Sequence, residues 1–279
     1  MTKEIAPEDA RTGRELAPEP DDKLRLGGMA LRNGLLVHGP SHWAAAVRGR
    51  DGELRVASGE KPDFGGQRFD GVAGLRGLAR LAEALAVVPL VKRRLPEAEL
   101  PMQDGRTLGA LVSAALLGQA VRSTGGRTLG REAVVAALSL APALLALRSG
   151  DLAAYHGVEH KAIGAYEEDG EVGDATKEHE RCGSNLVAPL LSTAMLGNTL
   201  ARRAGLRGPA VDAAVGIGST AVALEVFGWS ERHPRSGLAR ALRRPGHEIQ
   251  RAVGTREPTP EQLEVGHAAL REILRAEGR

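Results

Sequence analysis

The sequence predicts a mainly α-helical protein with a small β-hairpin region near its N-terminal end. Three observations carry this prediction. Four apolar stretches rich in Ala, Leu and Val, each of about helical length, occupy 107–121, 133–147, 185–201 and 209–229. Two short runs flank the turn Gly49-Arg50-Asp51-Gly52, the pattern of a hairpin. Thr259-Pro260-Glu261-Gln262 combines a Thr cap, proline at the first helical position and Gln three residues on, which is a helix start.

Taken in order, residues 1–23 mix charges and prolines without an apolar core, so they read as a disordered tail and not as a secretory signal. Residues 24–279 read as one domain. Within 24–60, the runs Trp43 to Arg48 and Glu53 to Ala57 form the hairpin. Gly27, Gly28, Gly34 and Gly39 imply tight turns or close backbone approach. A phosphate-binding loop would need spacings that are missing here. Residues 70–94 read as an amphipathic helix with Leu75, Leu78, Leu81, Ala82 and Leu85 on one side, closed by Lys92-Arg93-Arg94. The polar C-terminal region, 230–279, holds a helix from Pro260 to about Arg275 with Leu263, Ala268, Leu270, Ile273 and Leu274 as its apolar set.

Hydropathy alone leaves the apolar stretches open between buried core and membrane. The first three are short against the roughly 20 residues that a span needs. The fourth is long enough but carries Asp212 and Glu225, which in a membrane would face a bundle interior. Mean hydropathy over the chain is -0.19. Charge placement adds a modest positive-inside bias. With a cytoplasmic N-terminus, Lys92, Arg93, Arg94, Arg106, Arg148, Lys161, Lys177, Arg181 and the C-terminal arginines lie inside. Arg122, Arg127, Arg131, Arg202, Arg203 and Arg207 lie outside. Trp43, Trp229 and His233 read as interfacial anchors or as ordinary packing.

Lys+Arg is 37 and Asp+Glu is 35, so no polyanion-binding surface is implied and no nucleic-acid partner is expected. A single cysteine forms no internal disulfide. It faces a reducing compartment, binds metal, or is inert.

The chemistry concentrates in Tyr155-His156-Gly157-Val158-Glu159-His160-Lys161 and, downstream, His179-Glu180-Arg181-Cys182-Gly183. On a helix, His156 and His160 leave the same face one turn apart, the first half of a divalent-metal site. His-x-x-Glu-His is also the order of the inverzincin peptidases. The pair His179-x-x-Cys182 supplies two further candidate ligands, and sulfur with imidazole favours zinc over magnesium or calcium. If His156, His160, His179 and Cys182 all ligate, the site is closed and structural. If three ligate, an open position can hold a water, with Glu159 as base. Lys161 and Arg181 are candidates to hold an anionic group beside the metal. The acidic run at Glu167, Glu168, Asp169, Glu171 and Asp174 reads as a solvated loop.

The chain resembles the YqhQ-like family of bacterial membrane proteins, a domain of unknown function whose members are described as predicted metal-dependent enzymes. The resemblance rests on Gly27-Gly28-Met29-Ala30-Leu31-Arg32-Asn33-Gly34 with Gly39-Pro40, on Tyr155 to Lys161 followed by Ala165-Tyr166-Glu167, and on His179 to Asn185. It extends to Pro245-Gly246 with Gln250, Thr255 to Pro258 and Gln262 to Val265. Met29 and Asn33 depart from the family's usual Gln and Glu.

The resemblance implies a helical, membrane-embedded bundle of about four apolar helices. The expected partner is the lipid bilayer. The expected location is a multi-pass placement in the cell membrane, with the metal motif and both termini cytoplasmic. On that reading the protein is a zinc-dependent enzyme, with a hydrolase as the candidate class, metal ligands His156, His160, His179 and Cys182, and candidate catalytic residues Glu159, Lys161 and Arg181. The alternatives are a non-catalytic membrane protein with a structural zinc clip, and a soluble helical protein.

Overall fold

The structure is a computed structural model that describes residues 23–101, 103–123, 129–148 and 150–279, with nothing said of the Gln67 side chain. Of the tail expected at 1–23, residues 1–22 lie outside the described residues, and Lys23 is held in place, its ammonium donating to Glu167 O at 2.7 Å.

Four strands form an antiparallel meander: β1 (Gly27–Leu31), β2 (Gly34–His38), β3 (His42–Arg48) and β4 (Leu54–Glu60), in that spatial order. The expected hairpin is β3–β4, with Trp43 opposite Gly59 and Arg48 opposite Leu54. A second hairpin, β1–β2, precedes it, tightened where Leu31 pairs Gly34.

Both faces of the sheet are covered, because alternate residues point to opposite sides. Leu35, Val37, Ala44 and Ala46 pack against Tyr155, Val158 and Ala162 of α4 (Leu152–Glu168) and Val265, Ala269 and Ile273 of α8 (Pro260–Ala276). Leu36, Trp43, Ala45 and Val47 pack against Val87 and Val91 of α1 (Leu75–Arg94). Trp43 is therefore a core residue. The alanines of β3 let α8 lie close to this strand.

Two expectations about helices change. The buried stripe of α1 is Glu83, Val87 and Val91, while Leu75 and Leu85 are exposed. The sheet selects that stripe, and the leucine face is turned away from it. The C-terminal region is also more than a polar appendage. The helix starts as expected, with the Thr259–Gln262 capping box formed. It then becomes a core element.

Each apolar stretch forms a helix: α2 (Gly105–Ser123), α3 (Leu129–Arg148), α5 (Val187–Arg203) and α6 (Pro209–Arg232). They pack α2 on α3, α3 on α5 and α5 on α6, and α6 also meets α1. α3 and α6 are long and apolar enough to cross a membrane. At 1.5 Å per residue they reach roughly 30 and 36 Å, against a hydrocarbon core of about 30 Å. Only 17% and 11% of their apolar windows are buried, whereas the core helix of a soluble protein would be mostly buried. Leu111, Val112, Leu116, Leu117, Leu196, Leu200 and Ile217 are likewise exposed. A shorter helix, α7 (Gly237–Ile249), and a π-helical turn at Gln250–Gly254 lead back to α8.

Candidate metal centre

α4 packs on its face of the sheet chiefly over β1 and carries His156, Glu159 and His160 on adjacent turns. Its backbone is pinned from the other side by the chain leaving the π turn, where Arg256 N–H donates to Ala153 O at 2.9 Å.

Both imidazoles are oriented by backbone carbonyls. His156 Nδ1 donates to Gly254 O at 2.7 Å, and His160 Nδ1 donates to Lys177 O at 2.6 Å. A carbonyl can only accept, so each ring keeps a proton on Nδ1 and turns its Nε2 inward, the arrangement usual behind a metal-bound histidine. His156 Nε2 lies 3.3 Å from Cys182 Sγ. His160 Nε2 is buried and finds no hydrogen-bond partner. The ring centroids are 4.4 Å apart. Candidate ligand atoms of His156, His160 and Cys182 all lie within 4.8 Å of one another, so these three residues could hold a metal ion.

Cys182 caps the short turn Gly183–Leu186, its sulfur accepting Ser184 N–H at 3.4 Å. The two imidazoles differ in charge: without a metal His156 is protonated, and a metal would displace its Nε2 proton, whereas His160 is already neutral. Burial drives the His160 pKa down to about 3, helped by the neighbouring His156, so this ring is neutral and ready to ligate. Burial also opposes charge on His156, but Cys182, Glu159 and the Gly254 carbonyl outweigh it and raise its pKa to about 9. Burial pushes the Glu159 carboxyl above the usual range, against the pull of His156, His179 and the Ala30 N–H. A Cβ on Gly28 would stand 2.7 Å from Glu159 Cγ, so the glycine makes room for this carboxylate against β1.

The other expected site residues stand apart from this cluster. His179 lies near it, 5.7 Å from His160 between centroids. Both its nitrogens are engaged: Nδ1 accepts Arg181 N–H at 3.3 Å and Nε2 donates to Glu167 Oε2 at 3.2 Å. Arg181 pairs with Glu167. Lys161 is buried on another side of α4. Its ammonium donates to Gly173 O and Ala175 O at 3.0 and 2.7 Å and pairs with Glu257 at 2.8 Å. It holds the loop before the metal cluster and has no donor left for a ligand. Part of the acidic run is thus ordered by Lys161, Arg181 and His179.

Sequence reasoning missed Gln250. It is fully buried, its Oε1 accepts His179 N–H at 2.8 Å, and its Nε2 donates to His179 O and Ser184 Oγ at 3.2 and 2.8 Å. It ties the Cys182 loop to the turn that orients His156.

Glu159, His160 and Cys182 line the base of a cavity of about 500 Å³ enclosed by β1, α1, α4 and α6. Its wall includes Leu81, Leu85, Leu224 and Phe227.

Residues 150–276 match the model of a family described as a protein of unknown function (DUF1385). This is consistent with the YqhQ-like resemblance. The matched region holds all three clustered ligands, the π turn and all of α8. Comparison with curated proteins and with solved structures finds no match.

Proposed function

We propose that this DUF1385-containing protein is a membrane-embedded zinc-dependent enzyme, a hydrolase, working at the cytoplasmic membrane surface. The observation that carries this reading is the buried, unpartnered Nε2 of His160, held beside His156 and Cys182 by backbone hydrogen bonds and facing a cavity. An orphaned lone pair of this kind is costly unless a ligand uses it.

Three protein ligands leave one tetrahedral position open, as in catalytic rather than structural zinc sites. Zinc bound there would lower the pKa of a water to about 7. Glu159, on the cavity floor beside His160, is the group suited to take a proton from it. The topology supports the location. α2 and α5 start, and α3 and α6 end, on the side of the sheet and metal cluster, so two helical hairpins leave the same domain. The bias of Lys and Arg favours that domain on the inside. Its lone cysteine suits the same compartment.

A structural clip is the second reading, favoured by the nearness of His179, whose rotation would close the coordination sphere. The two are separated by metal analysis and X-ray absorption on protein purified in detergent. One zinc per chain with three protein donors and one light-atom ligand is expected, with Cys182→Ala and His160→Ala losing it. Glu159→Gln should keep the metal and fail to restore function in cells lacking the gene. A metal-free parent defeats both readings, four protein donors defeats the enzyme, and recovery without detergent defeats the membrane placement.

A further inference from the structure

The cavity above the metal cluster has a use that its ligands alone do not define. We infer that it takes the phosphate headgroup of a membrane lipid, with the acyl chains leaving between α1 and α6; this rests on the enzyme and membrane reading above.

One wall is apolar and continuous with a span. Leu224 and Phe227 belong to α6, and Leu81 and Leu85 face them from α1, with Leu85 53% exposed. α1 and α6 meet closely at their crossing, where a Cβ on Gly77 would stand 2.9 Å from Leu224 Cβ. A soluble substrate has no need of such a wall, whereas an acyl chain does.

The rim is basic. Arg25, Arg76, Arg80 and Arg232 line the cavity. Arg25 pairs with Glu231 at 2.6 Å, Arg76 with Glu225 and Arg80 with Asp70 at 2.8 Å, while Arg232 makes no ion pair among the described residues. A guanidinium has five N–H donors and these contacts use one or two of them, so each retains donors for phosphate oxygens. Basic pockets beside cytoplasmic helix ends are suited to anionic headgroups. His160 and Cys182 at the base place the metal cluster within reach of the seated headgroup.

The test is native mass spectrometry of the full chain in detergent, with dioleoyl phosphatidate, dioleoyl phosphatidylcholine or inorganic phosphate added. Phosphatidate should be retained about tenfold better than phosphatidylcholine, and the double variant Arg80→Gln/Arg232→Gln should lose about tenfold of that retention. Equal retention of the two lipids, an unaffected double variant, or displacement of phosphatidate by equimolar inorganic phosphate would overturn the assignment. Zinc is counted on the same samples. A zinc-free parent that still retains phosphatidate defeats the hydrolase and leaves the lipid site standing. A zinc-loaded parent that retains none defeats the lipid site alone.

Discussion

The backbone carbonyl of Arg256 occupies the space that a Cβ on Gly157 would need. Gly157 follows His156 directly, and Arg256 lies two residues past Gly254, the acceptor for His156 Nδ1. The glycine therefore lets the chain leaving the π turn lie against α4 and aim the imidazole. Gly157→Ala improves helix propensity by up to about 1 kcal/mol, but backbone cannot yield as a side chain tip does. The expected net is a loss of about 2 kcal/mol or more, together with weakened zinc retention. Thermal unfolding and metal counting on the purified variant decide it. A variant as stable and as metal-rich as the parent refutes the packing account.

Gln250 should matter almost as much as a ligand without touching the metal. Its carboxamide joins the His179 backbone and Ser184 to the π turn, and the side chain is fully buried. Gln250→Leu keeps the volume and abandons three hydrogen-bonding groups, at about 1–3 kcal/mol for each one left dry. The variant should lose stability and bind zinc at least tenfold more weakly, since second-shell changes cost about 10–100-fold. Zinc affinity measured by competition with a chelator would show otherwise if Gln250 were filler.

These contacts explain which parts of the structure sequence reasoning could reach. Spacing along one helix is local, so His156 and His160 were placed on one face of α4, and the cap at Thr259 and the helical apolar stretches followed from near neighbours. The Asp51-Gly52 hairpin was equally local. Contacts set by distant segments were out of reach. Lys161 is adjacent to a ligand in sequence, but it turns to carbonyls of the 173–175 loop. Arg181 is neutralised by Glu167, fourteen residues away. The leucines of α1 mimic a core stripe, yet the sheet selects Val87 and Val91. The first hairpin was hidden because Gly27, Gly28 and Gly34 read as loop until His38, Glu159 and β3, in turn, explain their lack of a side chain. Gln250 was visible only as one letter in a family block.

At the ends of the apolar helices away from the sheet, Glu132 stands between two arginines. Its carboxylate meets Arg122 at 3.2 Å and Arg202 at 3.4 Å, linking α2, α3 and α5, and its side chain is 7% exposed. Removing the charge strands two cations that are themselves largely covered, although Arg202 retains Asp212 at 3.4 Å. Glu132→Gln should therefore cost about 1–3 kcal/mol, below the 3–5 typical of a wholly buried pair. Glu248→Gln, which breaks the exposed pair between α7 and Arg251 of the π turn, should leave stability almost unchanged. Thermal unfolding in detergent compares the two. Equal effects would mean that the clasp contributes nothing beyond surface charge.

Acid should act on the junction between α8 and β4. Hydrogen bonds from Arg275 and from Ser58 hold the Glu272 carboxyl down to about 2. In the unfolded chain this group titrates near 4.3. Because the folded pKa is the lower one, the ionised form favours folding, and that contribution is complete above about pH 5. It falls as pH drops through the unfolded value and is gone near pH 2. The partners are partly solvated, so its size is about 1 kcal/mol or less. Glu272→Gln should be less stable than the parent at pH 7 by that amount, and the gap should close between pH 5 and pH 2. Paired melting curves across this range measure it, and a gap that stays constant down to pH 2 would assign the effect to packing instead of charge.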